Sequence, residues 1–442
     1  MSKSKPDNSA FLLQGGRIVD PANGVDQVGD LGVNDGVIVD PTKLPPGHET
    51  VEAAGMVVMP GLIDMHVHLR EPGREDEETV ASGTRAAVWG GFTTVVAMPN
   101  TEPPIDNVAG VEFILDRART ARRARVLTTA CITKGRAGEE LAELADMARA
   151  GAVGFTDDGD SVRDSHIMRR ALEYAKMTGK PIINHAEDHA VAQDGVMNEG
   201  IVSTRLGLGG IPSESEEIII DRDIMLARLA DGRLHETHIS TGRGLDLIRA
   251  AKADGLKVTC DCTPHHLFLD EEAVIGFDPD YKMKPPLRTK ADCEALIGGL
   301  MDGSIDAVAS DHAPHSWEEK DVEFDVAPFG STGLETTLSL MITHLVKTGR
   351  LDYPELARLL TAGPAAALGL PAPSLSPGSV ADVTIVNPDI SWTVVPGEMI
   401  SLSGNTAFKG QNLSGRAWYL WVDGRLLLHE GNLVPADEGG GA

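Results

Sequence analysis

The chain has 442 residues, 42% of them hydrophobic and 24% charged, which is enough apolar content for one large core with a smaller module beside it. Its net charge of −27, from 66 acidic against 39 basic residues, repels polyanions and sets nucleic acid and anionic membranes aside as partners, and aromatics at 4% give no stacking platform for single strands. The N-terminus lacks an apolar leader, no run reaches membrane-spanning length, and the four cysteines (Cys131, Cys260, Cys262 and Cys293) show no paired spacing, so a reducing, cytoplasmic setting is expected.

In chain order, residues 1–10 form a polar tail. The stretches "FLLQGGRIVD", "VGDLGVNDGVIVD" and "ETVEAAGMVVMPG" then read as short strands split by Gly, Asp and Pro turns. From residue 58 the pattern changes to apolar runs of strand length alternating with longer Ala-, Leu-, Glu- and Arg-rich segments. Strands are expected near 62–66, 92–98, 126–132, 152–156, 181–185, 234–238, 257–262 and 306–310. Helices are expected between them, at Ala137–Ala150, Ser165–Thr178, Glu214–Ala230 and Gly244–Asp254, and after them at Gly333–Lys347 and Tyr353–Ala362. Cys260 and Cys262 alternate on one such strand and read as core. The C-terminal runs "ADVTIVNPD", "WTVV" and "AWYLWVDGRLLLHEGNLV" return to strand character.

Eight strand–helix alternations in about 300 residues fit an α/β (β/α)8 TIM barrel better than a doubly wound sheet. The expected division is a catalytic barrel over 58–375, a small β-sandwich domain built from 11–57 plus 376–434, and flexible tails at 1–10 and 435–442.

Ligand-type residues sit where the barrel strands end: His66-Val67-His68, Thr156-Asp157-Asp158, Asn184-His185, Thr237-His238 and Ser310-Asp311-His312. In a barrel these ends meet on one face. Side chains two apart on a strand point the same way, so His66 and His68 can reach one metal, and imidazole with carboxylate is a donor set for Zn²⁺. A lone His-x-His is a weak signal, and Asp157-Asp158-Gly159 alone is as good a turn. Five such ends together are hard to explain structurally, because buried charge is costly unless paired or metal-bound. Arg70, two residues beyond His68, offers a fork for a carboxylate.

The segments "PGLIDMHVHLREPG", "GGFTTVVAMPNTEPPID", "GFTDDG", "INHAED", "THIS" and "ASDHAPH", with "NTAFKGQNLSGR" near the C-terminus, resemble the amidohydrolase superfamily and, within it, the class I dihydroorotases. The resemblance implies one or two zinc ions held by His66, His68, Asp158, His185, His238 and Asp311. Asp158 is preferred to Asp157 because the second Asp of "TDDG" is the family's usual ligand. It implies Asp311 as proton shuttle beside a zinc-bound hydroxide. It also implies His68, Arg70, Asn100, His315 and the Phe329-Gly330 main chain as substrate contacts. The loop 316–330 is charged and reads as a lid.

The implied reaction is reversible cyclisation of N-carbamoyl-L-aspartate to L-dihydroorotate in pyrimidine synthesis. Allantoinases and hydantoinases carry a bridging Lys where residues 151–163 here have none, which disfavours the alternative of another cyclic amidohydrolase. A non-catalytic scaffold of aspartate transcarbamoylase is disfavoured by the complete ligand set, although association with that enzyme and a homo-oligomer are expected. Lys284 stands where the family usually has Asn before "PPLR" and is a candidate ring or carboxylate contact. His265 and His266 have no assigned role.

Overall fold

The computed structural model describes residues 10–435, so the expected tails at 1–10 and 435–442, apart from Ala10 and Pro435, lie outside the described residues. Eight parallel strands form the centre: β1 (Leu62–Val67), β2 (Phe92–Ala97), β3 (Arg125–Ala130), β4 (Ala152–Phe155), β5 (Ile182–Asn184), β6 (Leu234–Glu236), β7 (Val258–Cys262) and β8 (Ala307–Val308). They lie side by side in chain order, and a parallel bridge from Val67 to His312 joins the last strand end to the first, closing the ring. Every residue of β1, β2 and β4 is buried, as expected for parallel strands covered on both faces. Cys260 and Cys262 are buried on β7, as their alternation suggested.

The helices that cover the barrel start where the sequence supplies a cap. Thr79 caps α1 (Val80–Gly90) through Ser82 N, and Asn107 caps α2 (Val108–Ala121) through Gly110 N. Asp164 accepts from His166 and Ile167 N at the head of the Ser165–Lys176 helix, and Thr241 does the same through Gly244 N for Gly242–Ala253.

Two expected helices are shorter than the sequence suggested. The one expected at 137–150 spans only Leu144–Ala150, because Gly135 (φ 61°) and Gly138 (φ 72°) turn the preceding chain into a loop. That loop is pinned by Asp157, whose carboxylate accepts from Ile132 N (2.8 Å) and Thr133 N (3.1 Å). The segment expected to be helical from Gly333 becomes α-helix only over Thr337–Met341 and then continues as a π-turn over Ile342–Val346. Gly333 is held back by its own N–H, which donates to His312 Nδ1 (3.2 Å).

Both chain ends build a second, nine-stranded sheet in the order 432–433, 425–429, 412–422, 383–393, 57–60, 11–20, 25–34, 37–39, with 49–52 on the side of 11–20. The seam is Val57–Pro60, which pairs antiparallel with 383–386 and parallel with Arg17 and Ile18. The same strand leads through Gly61 into β1, so the end-sheet is wired directly to the strand carrying the first two histidines.

Where α1 ends, Gly90 packs against the 334–335 backbone, and a Cβ there would meet Leu334 O at 2.1 Å. Gly90→Ala is expected to destabilise the fold by about 1–3 kcal/mol, read as a lower urea midpoint at unchanged slope.

Glu335 follows directly. Its carboxyl is buried and accepts from Ile400 N (2.8 Å) and Ser401 N (3.0 Å). Burial outweighs these donors and raises its pKa to about 7. The folded chain therefore keeps a proton that the unfolded chain loses near pH 4.5. The stability this contributes is fully present below about pH 4.5 and is lost as pH rises through about 7. Glu335→Gln should flatten that slope, removing on the order of 3 kcal/mol of the stability difference between pH 4.5 and 8. Denaturant titrations at the two pH values measure it, and parallel profiles for the two proteins would refute it.

Candidate metal centre

The strand ends deliver His66, His68, Asp158, His238 and Asp311 to one buried cluster at the mouth of the barrel. His66 Nε2 lies 3.4 Å from Asp158 Oδ1 and 3.5 Å from Asp311 Oδ1. His68 Nε2 lies 3.2 Å from Asp311 Oδ1 and 3.6 Å from Asp158 Oδ2, and His238 Nε2 lies 3.6 Å from Asp158 Oδ1. Two triads each bring their ligand atoms within 4.8 Å of one another: His66, His68 and Asp311, and His66, Asp158 and His238. His185 joins through its neighbour, with Nδ1 3.0 Å from His238 Nε2.

The hydrogen bonds behind the cluster fix which ring nitrogens face it. His66 Nδ1 lies 2.9 Å from Thr237 Oγ1, and that hydroxyl donates to Asp261 Oδ2 at 2.9 Å. A hydroxyl has one proton, so Thr237 accepts from His66, and the proton of His66 is on Nδ1. His68 Nδ1 lies 2.9 Å from Asn100 Oδ1, an acceptor only, so its proton is also on Nδ1. Both Nε2 atoms therefore face the carboxylate oxygens of Asp158 and Asp311, where a second ring proton or a metal ion can be shared.

His66 Nε2, Asp158 Oδ1, His185 Nε2 and His238 Nδ1 are buried without a hydrogen-bond partner among the described residues. Imidazole nitrogens and carboxylate oxygens gathered this closely in a buried site fit a cation, whether a proton or a metal ion. The electrostatics agree. Burial opposes a charge on His66, yet the Asp158 and Asp311 carboxylates raise its pKa to about 10. Burial opposes ionisation of Asp311, and the His68 and His66 contacts overcome it and pull it far below the ordinary carboxylate value.

Arg70, His238 and Asp311 adopt φ of 59°, 39° and 46°, in the left-handed region.

Asp157, the alternative carboxylate of "TDDG", is fully engaged by Ile132 and Thr133 and does not face the cluster. Asn100 accepts from His68 and reaches Asp158 Oδ2 with its amide at 3.4 Å, so it braces two cluster members.

A network of cations, carboxylates and main chain surrounds the cluster. Arg70 Nε pairs with Glu77 Oε2 (2.9 Å) and donates to Pro314 O (3.0 Å), and its guanidinium lies 3.2 Å from His315 Nε2. His315 donates from Nε2 to Phe329 O at 2.8 Å, and Gly330 N donates to Lys282 O. Lys284 Nζ pairs with Glu187 Oε1 at 2.9 Å and lies 5.7 Å from the Phe329 ring. The loop 316–330, expected as a lid, contains a short helix at Trp317–Lys320. It is held down by Lys320 Nζ, which donates to Pro279 O and Pro328 O.

The unassigned histidines separate. His266 is structural, with Nδ1 on Thr263 Oγ1 (2.8 Å) and Nε2 donating to Pro285 O (2.9 Å). His265 leaves Nε2 buried without a partner among the described residues and feels the charges of Asp311, His238 and His66, while burial lowers its pKa to about 4.

The sequence reading gave no role to Thr237, Asp261, Glu77, Glu187 or His312. Asp261 carried a usable signal: a carboxylate between two cysteines of a buried strand has to face something polar.

Solved structures with this architecture include an L-hydantoinase (dihydropyrimidinase) from Arthrobacter aurescens, at TM-score 0.86 and 25% identity over 97% of this chain and 98% of that one. A D-hydantoinase (dihydropyrimidinase) from Thermus sp. aligns at TM-score 0.82 and 23% identity over 98% of each chain. The closed barrel, the sheet from both chain ends and the His–Asp cluster thus define a cyclic amidohydrolase. A sequence-family model described as "Dihydro-orotase-like" matches residues 55–243. Relatives named dihydroorotase are 48% identical: one from Geobacter sp. (strain M21) over 95% of this chain and 100% of its own length, and one from Pelotomaculum thermopropionicum over 95% and 99%. The chain belongs to the dihydroorotase family.

Proposed function

We propose that this chain is a zinc-dependent dihydroorotase of class I, interconverting N-carbamoyl-L-aspartate and L-dihydroorotate in pyrimidine synthesis. The observation that carries the reading is the buried cluster itself, in which His66 and His68 Nε2 face the carboxylates of Asp158 and Asp311, and His66 Nε2 and Asp158 Oδ1 have no hydrogen-bond partner among the described residues. His66, His68, Asp158, His185, His238 and Asp311 would hold the metal. When bound, zinc supplies Lewis acidity toward a carbonyl oxygen and lowers the pKa of water.

The protein's own groups do the rest. Of the two carboxylates, Asp311 has the more exposed side chain, 11% against 3% for Asp158, so it is the one a substrate can touch. In hydrolysis, the attacking water's oxygen bonds to the ring amide carbon and its proton passes to the Asp311 carboxylate. As the carbon–nitrogen bond breaks, Asp311 returns that proton to the leaving nitrogen. Ring closure runs the same path backwards.

The substrate carboxylate is assigned to Arg70, with His315 and the Phe329-Gly330 main chain beside it and Asn100 behind His68. Lys284 supplies a second cation at the rim, in the place of the family's usual Asn.

The division into a barrel over 58–375 and an end-domain over 11–57 plus 376–434 belongs to this proposal, as do a homo-oligomer, association with aspartate transcarbamoylase and a cytoplasmic location. No helix among the described residues is long and apolar enough to cross a membrane.

Dihydroorotate hydrolysis by the purified chain, with metal analysis alongside, tests the reading. Turnover of allantoin or a hydantoin without turnover of dihydroorotate would overturn it. Size exclusion of the chain co-expressed with aspartate transcarbamoylase tests the association.

A further inference from the structure

In a chain of net charge −27, five arginines fall within residues 117–125, at 117, 119, 122, 123 and 125. They occupy the end of α2 and the turn into β3. Local carboxylates account for part of the run. Arg119 pairs with Asp116 at 3.1 Å, and Arg125 bridges Asp382 and Asp423.

Arg123 is placed differently. Its Nη1 donates to Val434 O at 2.7 Å, and the charges that bear on it are those of Arg85 from α1 and Arg425 from the end-sheet. Burial first, and then these two like charges, push its guanidinium below its ordinary value. Arg85 is exposed and makes no hydrogen bond or ion pair among the described residues.

Arg85, Arg117 and Arg123 line one cleft of about 550 Å³ between α1, α2 and residues 433–435. That volume falls within the range of small-ligand sites. Its walls between the cations are apolar or small: Val80, Ala81 and Leu433. Arg117 is paired with Glu71, but Arg85 and Arg123 face one another with no carboxylate paired to either among the described residues, and gathering these two guanidinium groups costs electrostatic free energy, which an anion in the cleft would offset. Guanidinium forks match phosphate oxygens in geometry, and a concave site suits a compact anion better than the flat face of an acidic protein.

We propose that this cleft binds a compact, multiply charged anion of phosphate type. It shares no residue with the metal centre. One bond ties the two regions together: Arg117 Nε donates to Glu71, whose other carboxylate oxygen accepts from Val80 N at 2.9 Å, and Glu71 is the neighbour of Arg70.

Isothermal titration of the full-length, metal-loaded protein with inorganic triphosphate tests the proposal. Metal content is measured before and after, so that chelation is not read as binding. Saturable binding to one site is expected, tighter than for orthophosphate and weakened about tenfold or more by Arg85→Gln and by Arg123→Gln. Dihydroorotate turnover without the anion should be the same in both variants as in the native chain. Arg85 is exposed and bonded to no described group, so Arg85→Gln tests the site even if Arg123→Gln disturbs the fold. No saturable binding, native-like binding in Arg85→Gln, or capture of polyglutamate without triphosphate would each overturn the proposal.

Discussion

Replacing Asp311 by Asn should lower the turnover of dihydroorotate by about a thousandfold or more, the upper part of the range for a lost general acid–base group. The amide keeps the size and one acceptor oxygen of the carboxylate, but it cannot take a proton from water and return it to nitrogen. Metal content should fall less than activity. Asp311 belongs to one of the two ligand triads, and the other, His66 with Asp158 and His238, does not include it. The variant therefore separates the two roles of this side chain. Metal analysis with steady-state rates in both directions measures both. Turnover within tenfold of the native enzyme would remove Asp311 from the proton path. Complete loss of metal would make it chiefly a ligand.

The architecture was legible because the sequence changes period where the structure changes type. All eight barrel strands lie within a few residues of the apolar runs that announced them, and Glu214–Ala230 is helical over the expected span. Boundaries slipped where a side chain away from the segment decided the backbone. Asp157 organises the loop before Leu144–Ala150, and His312 holds Gly333 out of the following helix. Neither contact can be seen in a local pattern.

The cluster was legible at its members and opaque behind them. Strand alternation and strand-end position point to His66, His68, His185, His238, Asp311 and one of Asp157 and Asp158, since those rules act on each segment separately, and the resemblance to the dihydroorotases selects Asp158. Thr237 and Asp261 hold His66 through contacts 171 and 24 residues apart in sequence, and only the closed barrel brings them together. Arg70 shows the same limit. Its distance from His68 suggested a fork open to substrate, whereas folding engages its Nε with Glu77 and Pro314. A substrate carboxylate would have to meet the other end of the guanidinium.

The support behind His66 gives the second large effect. Asp261 accepts from Thr237 Oγ1 and His235 Nε2 through Oδ2 and from His238 N through Oδ1, so it receives donors on both oxygens. Asp261→Asn replaces one of those oxygens by an NH₂ group. With its amide oxygen still on His238 N, the NH₂ faces the Thr237 hydroxyl and turns it round. The hydroxyl then accepts from Asn and donates to His66 Nδ1, which moves the imidazole proton to Nε2, the nitrogen facing Asp158 and Asp311. A ligand is thereby converted into a donor with almost no change of shape.

The expected result is a metal affinity lower by about 10–100-fold, the usual cost of losing the group that orients a ligating histidine. Competition with a chelator measures it. Excess zinc should restore much of the activity in Asp261→Asn but none in Asp311→Asn, because the first lesion is in holding the metal and the second in moving the proton. Thr237→Val removes the relay without reversing it, so it should weaken metal binding less than Asp261→Asn. Native metal affinity in Asp261→Asn would show that the proton on His66 is not set from behind.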